Sequence, residues 1–437
     1  MLPDKVRFYV KENNSPYSYY YIPQDSVKNL SFSVMSLLVE LSRPEVWEKF
    51  YEYKTGLACP KRFAKELRDF IDRRAYEPVC EAVRRGDPFP LPERAVISKM
   101  ASQKKRVVYC YPSDENTVLK LLTWLLLRRY DGIFADNLYS FRPGRAAKDA
   151  VRRLCSAPGV RDAYAYKADI SNYFNSVPVD RLLPQLEEIT RDDPALFTFL
   201  KALLTEPEVL EHGKPLTEQK GIMAGTPLSA FYANLYLREL DRHFETLGVP
   251  YARYSDDIIL FAPTREETER HAAFAREYLS AAGLAMNPDK EQFTSPEEGW
   301  TYLGFSYRDG ATDLAPASLT KMKQKMRRKT RALERWRKRN ELEREKAAKA
   351  FIRVFNSKLF ENPADNDLTW AYWYFPVLTT ADSLHEIDLY AQDCIRHLLT
   401  GARTKARYNA RYGDLKQLGY RSLVHEYYAF RENAQEY

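Results

Sequence analysis

Between Tyr251 and Ala262 the chain reads YARYSDDIILFA. Two apolar, β-prone runs flank adjacent acids, Asp256 and Asp257. This pattern predicts a tight hairpin that holds both carboxylates at one end. Like charges side by side repel, so folding gains nothing from the pair itself. A third acid, Asp169, ends another apolar run, AYAYKAD. If the two strands are neighbours, three carboxylates converge on one spot. Convergent oxygens with no counter-charge suit hard divalent cations, Mg2+ above all. Two such ions about 4 Å apart can activate an attacking hydroxyl and stabilise a leaving phosphate. For the Asp pair taken alone, an ordinary solvated turn is the competing reading.

The rest of the chain gives that hairpin its setting. No repeat of fixed period and no low-complexity tract is present. Residues 28–85 carry helical spacing, as in LSFSVMSLLVELS, and the proline-rich GDPFPLPERAV (86–96) closes that section. A basic β-like stretch, KKRVVYCYP (104–112), precedes a long apolar helix containing LLTWLLL. LYSFRPGRAAKDAVRRL (138–154) reads as a turn and a helix, and AYAYKADISNYF (163–174) as a strand. Helices and strands then alternate to GWTYLGFSY (299–307). The expected class is α+β, with an antiparallel sheet in the middle and helices at both ends. The expected divisions are a helical N-terminal extension (1–95), a central region (96–315) and a basic helical C-terminal region (316–437).

Charge is concentrated rather than spread. Residues 321–349 hold 14 Lys or Arg against 4 Glu, a net +10, so the remainder of a chain of net +7 sums to −3. A single basic helix of this kind suits a polyanion such as nucleic acid, with a solvated face laced by Glu–Arg pairs as the bland alternative. The five cysteines are scattered with no CxxC, which argues against a disulfide framework or zinc cluster and for a reducing compartment. The start MLPDKVRFYVKENN shows no apolar signal-peptide core, and LLTWLLL is too short to span a bilayer. A cytoplasmic protein without membrane contact is expected.

Several segments together carry a family resemblance. YSDD within RYSDDIILFA resembles the catalytic motif of reverse transcriptases, above all the bacterial lineage of group II intron proteins and retrons. DISNYFNSV (169–177) resembles the first palm motif and GIMAGTPLSAFYANLYLRELD (221–241) the nucleotide-binding motif. LAMNPDKEQF (284–293) and YLGFSY (302–307) resemble the lysine-bearing and primer-grip motifs, and KKRVVYCYP and YSFRPGRAAKDAV the fingers motifs. They stand in family order over about half the chain. The resemblance implies a right-hand polymerase fold with fingers, a palm built on an antiparallel sheet, and a helical thumb.

The resemblance also implies roles. Asp169, Asp256 and Asp257 hold two metals, Mg2+ with Mn2+ as a substitute, and the Ile170 carbonyl adds a ligand. Lys290 neutralises or protonates the leaving group. Phe174, five residues after Asp169, occupies the position of the steric gate against a 2′-hydroxyl. Lys105, Arg106 and Arg142 face the triphosphate, while Ala224, Gly225 and Tyr254 border the nucleotide. Ser229 is either structural or faces the template. Lys321, Lys325, Arg328, Arg331 and Arg335 contact the template–primer duplex. The implied partners are an RNA template, a DNA primer and product, and deoxynucleoside triphosphates.

This chain departs from the commonest family form. Met223-Ala224-Gly225 stands where Pro-Gln-Gly is usual, and Ser171 and Asn175 replace a Lys and an Asp common in group II intron proteins. No HNH nuclease motif follows the thumb. The N-terminal extension and the ending LKQLGYRSLVHEYYAF (415–430) resemble the bacterial "unknown group" enzymes, which implies a cognate noncoding RNA and anti-phage defence. Two other readings stand beside the polymerase. One is an RNA-binding maturase or scaffold that needs no polymerisation. The other is template-free or protein-primed synthesis, for which the tyrosines of YSYYY (17–21) offer hydroxyls.

Overall fold

The computed structural model describes residues 35–56, 59–98, 105–360 and 370–435. The tyrosines at 17–21 lie outside them. The strands are β1 (Glu93–Ser98), β2 (Lys105–Cys110), β3 (Tyr164–Asp169), β4 (Glu208–Glu211), β5 (Lys214–Thr217), β6 (Tyr251–Tyr254), β7 (Asp257–Ala262), β8 (Gln292–Thr294), β9 (Trp300–Tyr302), β10 (Phe305–Arg308) and β11 (Ala311–Leu314). They form three sheets, ordered β2-β1-β4-β5, β6-β7-β3-β8 and β11-β10-β9. The middle sheet is antiparallel throughout, as the α+β reading required.

Side-chain alternation decides what that sheet separates. Tyr166 and Ala168 of β3, with Ile258 and Leu260 of β7, point into one core. Ala165 of β3, with Ile259 and Phe261 of β7 and Ala252 of β6, points into a second. Because both faces are covered, β7 reads as an unbroken apolar run rather than as alternation. The first core takes in the N-terminal helices Pro44–Thr55, Lys61–Asp72 and Tyr76–Arg85 and the apolar helix Ser113–Arg129. Trp47 is fully buried there, stacked on Tyr76 at 4.8 Å. The second core takes in β9 to β11 and the helices Pro316–Arg339, Arg344–Leu359 and Asp382–Thr400.

Two expectations about elements are corrected. The run 163–174 is a strand only to Asp169, and residues 173–176 turn helical. Asn172 takes a left-handed φ of +45°, and the Ser171 N–H leaves the sheet for the Ala285 carbonyl at 2.8 Å. The basic segment 321–349 is not one helix but parts of two. The first closes in a Schellman arrangement: the Leu342 N–H donates to the Arg337 carbonyl at 3.0 Å and the Glu341 N–H to the Lys338 carbonyl at 3.4 Å. Glu341, at φ +50°, takes the place usually held by glycine, so the sequence carries no stop signal there.

All five cysteines are free. Among the described residues no helix is long and apolar enough to cross a membrane.

Candidate active site

Register places the three acids together. β3 pairs with β7 so that Asp169 lies opposite Asp257, and β6 pairs with β7 so that Tyr254 lies opposite Asp257. Only Ser255 and Asp256 are left for the loop, and Ser255 is left-handed at φ +61°. A non-glycine residue in that region costs about 1–2 kcal/mol, a local strain that the surrounding packing holds in place. The Ile170 N–H donates to the Asp256 carbonyl at 3.0 Å and ties the loop to the end of β3. Carboxylate oxygens of Asp169, Asp256 and Asp257 then lie within 4.8 Å of one another.

That cluster is electrostatically costly without a cation. Burial pushes the Asp257 carboxyl up to about 6, with the neighbouring Asp256 and Asp169 adding to the rise and Lys167 and Lys290 opposing it. Burial also raises Asp256, helped by Asp169 and opposed by a backbone hydrogen bond, Lys290 and Arg106. The expectation of acids with no counter-charge is therefore corrected: the Lys290 ammonium pairs directly with Asp169. One lysine contact against three carboxylates leaves a donor set that fits a divalent cation.

A pH effect follows from the raised acid. Its folded-state value exceeds the ordinary aspartate value of 3.8. The associated stability is therefore present below about pH 4 and is lost as pH rises through about 6, for about 1–3 kcal/mol in metal-free protein. Added Mg2+ should raise the melting temperature more at pH 7.5 than at pH 5.5, where protons already occupy the site. An equal rise at both pH values would show that the ion binds elsewhere.

A buried network below the hairpin fixes its position. Arg253 and Asp241 are both completely buried. The Arg253 guanidinium donates to the two Asp241 oxygens at 2.8 and 2.5 Å, to the Asn234 carbonyl at 3.3 Å and to the Ser255 carbonyl at 3.2 Å. Tyr251 Oη donates to Asp241 at 2.9 Å, and Asn137 Nδ2 to the Asp241 carbonyl at 2.8 Å. From the second core, Tyr302 Oη donates to the Asp257 carbonyl at 3.0 Å. The strained loop thus hangs from one guanidinium and one phenol. The motifs assign no role to Arg253, whose signal is an arginine inside an otherwise apolar strand.

The side where a nucleotide is expected is assembled by backbone contacts. The Tyr109 N–H donates to the Ala224 carbonyl at 2.8 Å, laying residue 224 beside β2. Asn175 bridges the two, donating to the Val107 carbonyl at 3.2 Å and accepting from the Ala224 N–H at 2.9 Å. A Cβ on Gly225, where φ is +100°, would stand 3.0 Å from the Tyr109 carbonyl oxygen, so the approach requires glycine. The Phe174 carbonyl accepts from the Ile222 N–H at 2.8 Å. Its half-buried ring meets Phe141 edge-on at 6.5 Å. Tyr254 is half-buried, and Lys105 and Arg106 are exposed at the start of β2.

Arg142 is a correction. Its guanidinium donates to the Asp131 carboxylate at 2.8 and 3.1 Å and to the Ala135 carbonyl at 2.6 Å, inside the protein. These bonds consume the fork, so Arg142 braces its own loop and does not face a triphosphate. Ser229 is likewise buried, donating to the Thr226 carbonyl at 2.7 Å. Lys167 was missed. It lies two residues before Asp169 on the same face of β3, is half-buried, and opposes the rise at Asp257.

On the Pro316–Arg339 helix, Lys321, Lys325, Arg328, Arg331 and Arg335 are exposed along one side, opposite the buried Met326, Thr330 and Leu333.

Residues 97–307 match the family described as reverse transcriptase (RNA-dependent DNA polymerase). The group II intron-encoded protein LtrA of Lactococcus lactis subsp. cremoris is 24% identical over 261 residues, 58% of this chain and 42% of its own. An uncharacterized 91 kDa protein in the cob intron of Schizosaccharomyces pombe is 27% identical over 201 residues, 46% of this chain and 23% of its own. The chain therefore spans less than half the length of these relatives. Apo telomerase from Candida tropicalis aligns over 76% of this chain and 60% of its own at 10% identity, with a TM-score of 0.46.

Proposed function

Because residues 97–307 form a reverse transcriptase domain of the group II intron-like kind, we propose that the chain is an RNA-directed DNA polymerase that extends a primer with deoxynucleotides. The observation that carries this reading is the meeting of Asp169, Asp256 and Asp257 at one end of a sheet. These carboxylates, with the Ile170 carbonyl, would hold two Mg2+ ions. Bound there, the ions supply Lewis-acid activation of the primer hydroxyl and charge for the leaving pyrophosphate.

The chain's own groups do the remaining work. Arg106 and Lys105 extend from β2 toward the incoming triphosphate. The charge of Arg106 reaches Asp256, which supports its place at the site. Lys290 pairs with Asp169 and, with a cation held by the carboxylates, would be placed to offset the leaving group's charge. Gly225 and Ala224 let the nucleotide lie against backbone. Tyr254 borders the site, and the exposed basic stripe from Lys321 to Arg335 tracks duplex phosphates.

Phe174 would exclude a 2′-hydroxyl. Phe174→Ala should narrow the preference for deoxy- over ribonucleotides by about 10- to 100-fold in kcat/KM. Steady-state incorporation of dNTP against rNTP on one template checks this, and an unchanged ratio would place the gate elsewhere.

The template is read as a cognate noncoding RNA and the setting as cytoplasmic anti-phage defence. Support comes from the N-terminal extension and the 415–430 ending. Sequencing the nucleic acid that co-purifies tests the template: one structured RNA with complementary DNA is expected. RNA without any DNA would favour the maturase or scaffold reading. Phage challenge of cells with and without the intact acids tests the setting, and equal plaque counts would exclude defence.

A further inference from the structure

A second concentration of like charge lies in the C-terminal region. The Pro316–Arg339 helix packs along the Asp382–Thr400 helix, and with residues 401–407 they border an open cavity of about 1000 Å3. Arg327, Arg328, Arg331, Arg335, Arg403 and Arg407 line it, against only two carboxylates, Glu334 and Asp393. Both acids are already engaged. Asp393 accepts from Arg407 at 3.1 and 3.2 Å. Glu334 accepts from Arg337 at 3.1 and 3.4 Å. Among the described residues, no carboxylate pairs with Arg327, Arg328, Arg331, Arg335 or Arg403.

Five unpaired guanidinium groups around one cavity repel one another, as the three acids of the active site do. Guanidinium forks match phosphate oxygens in geometry as well as sign. An aromatic residue follows the lining Arg407 directly in the chain. Tyr408 is half exposed, with the Arg407 guanidinium 4.6 Å and that of Arg396 5.2 Å from its ring centre. Half-buried Tyr390 lines the cavity wall. Closely set phosphate binders beside an exposed aromatic residue suit a nucleic-acid strand whose bases are unpaired. A closed duplex keeps its bases stacked inside and offers none to an aromatic side chain.

We propose that this cavity is an anchor for a single-stranded stretch of RNA, with phosphates held by Arg327 and Arg403, which lie outside the duplex stripe, and a base stacked on Tyr408. It shares no residue with the carboxylate site. It rests on the polymerase reading only in taking RNA as the ligand.

The test is equilibrium binding of a labelled, unstructured oligoribonucleotide to the full chain across a salt series. The R327A/R403A double variant should bind at least about tenfold more weakly at 0.1 M salt, and its log–log salt slope should flatten by about 1.4, for two lost contacts. Y408A should weaken binding with the slope unchanged, and R327K/R403K should keep the slope. Matching thermal melts separate these effects from misfolding. Affinity for a blunt RNA–DNA duplex should change far less than affinity for the single strand.

Unchanged single-strand affinity and slope would overturn the proposal. So would an equal loss for duplex, or tripolyphosphate binding as tightly as RNA. If the wild-type chain binds RNA through these arginines yet incorporates no dNTP, the polymerase reading fails and the anchor stands.

Discussion

A chain carrying Asp256→Asn should incorporate deoxynucleotides at least about a thousandfold more slowly than the wild type, while folding and binding RNA normally. The substitution keeps the size of the side chain and removes one charged ligand from a site whose proposed chemistry depends on cation charge. A loss of that size corresponds to about 4 kcal/mol of transition-state stabilisation. Burial and two acidic neighbours raise Asp257. Losing the Asp256 charge should therefore stabilise the metal-free protein at neutral pH and shrink the melting shift that Mg2+ produces. Single-turnover primer extension on an RNA template reads the first effect and thermal melts in EDTA and Mg2+ the second. Extension within about tenfold of the wild type would remove the acids from the chemistry.

Asp241→Ala should cost about 3–5 kcal/mol, because it strands a fully buried Arg253 charge. Urea unfolding measures this as a shift in midpoint. The loss should extend to function, since the Arg253 donor to the Ser255 carbonyl is then no longer oriented. A paired replacement, Asp241→Leu with Arg253→Met, separates the two roles. An apolar pair of similar volume restores most of the stability, yet it leaves the Ser255 carbonyl without its donor. Extension should stay depressed although the midpoint recovers. Full recovery of both would make the ion pair a packing device only.

The hairpin, its acids and the strand that brings Asp169 opposite them were legible because period, turn length and charge all pointed one way. The break at Asn340 was not legible, since a glutamate occupies the left-handed position that usually announces itself as glycine. The end of β3 was hidden for a related reason: the aromatic residues of SNYF favour strands, and a contact with distant Ala285 overrides them. Arg142 shows the limit for site residues. An arginine in a turn before a helix looks the same in sequence whether it reaches a phosphate or braces its own loop, and only the position of Asp131 decides. Arg253 carried no signal of its own because it sits on a strand while its partner, Asp241, belongs to the preceding helix. The arginine cavity was half visible. Its first four members lie in the basic run, while Arg403 and Arg407 arrive from another part of the chain.

β7 has no free side. Ile258 and Leu260 press into one interior, Ile259 and Phe261 into the other. A partition shared by two rooms cannot be shifted to suit only one of them. Each repacking among the N-terminal helices, and each among the C-terminal ones, is felt by the same six residues, at whose edge Asp257 stands. The two halves of the chain are therefore bound to drift together, each change on one side answered on the other.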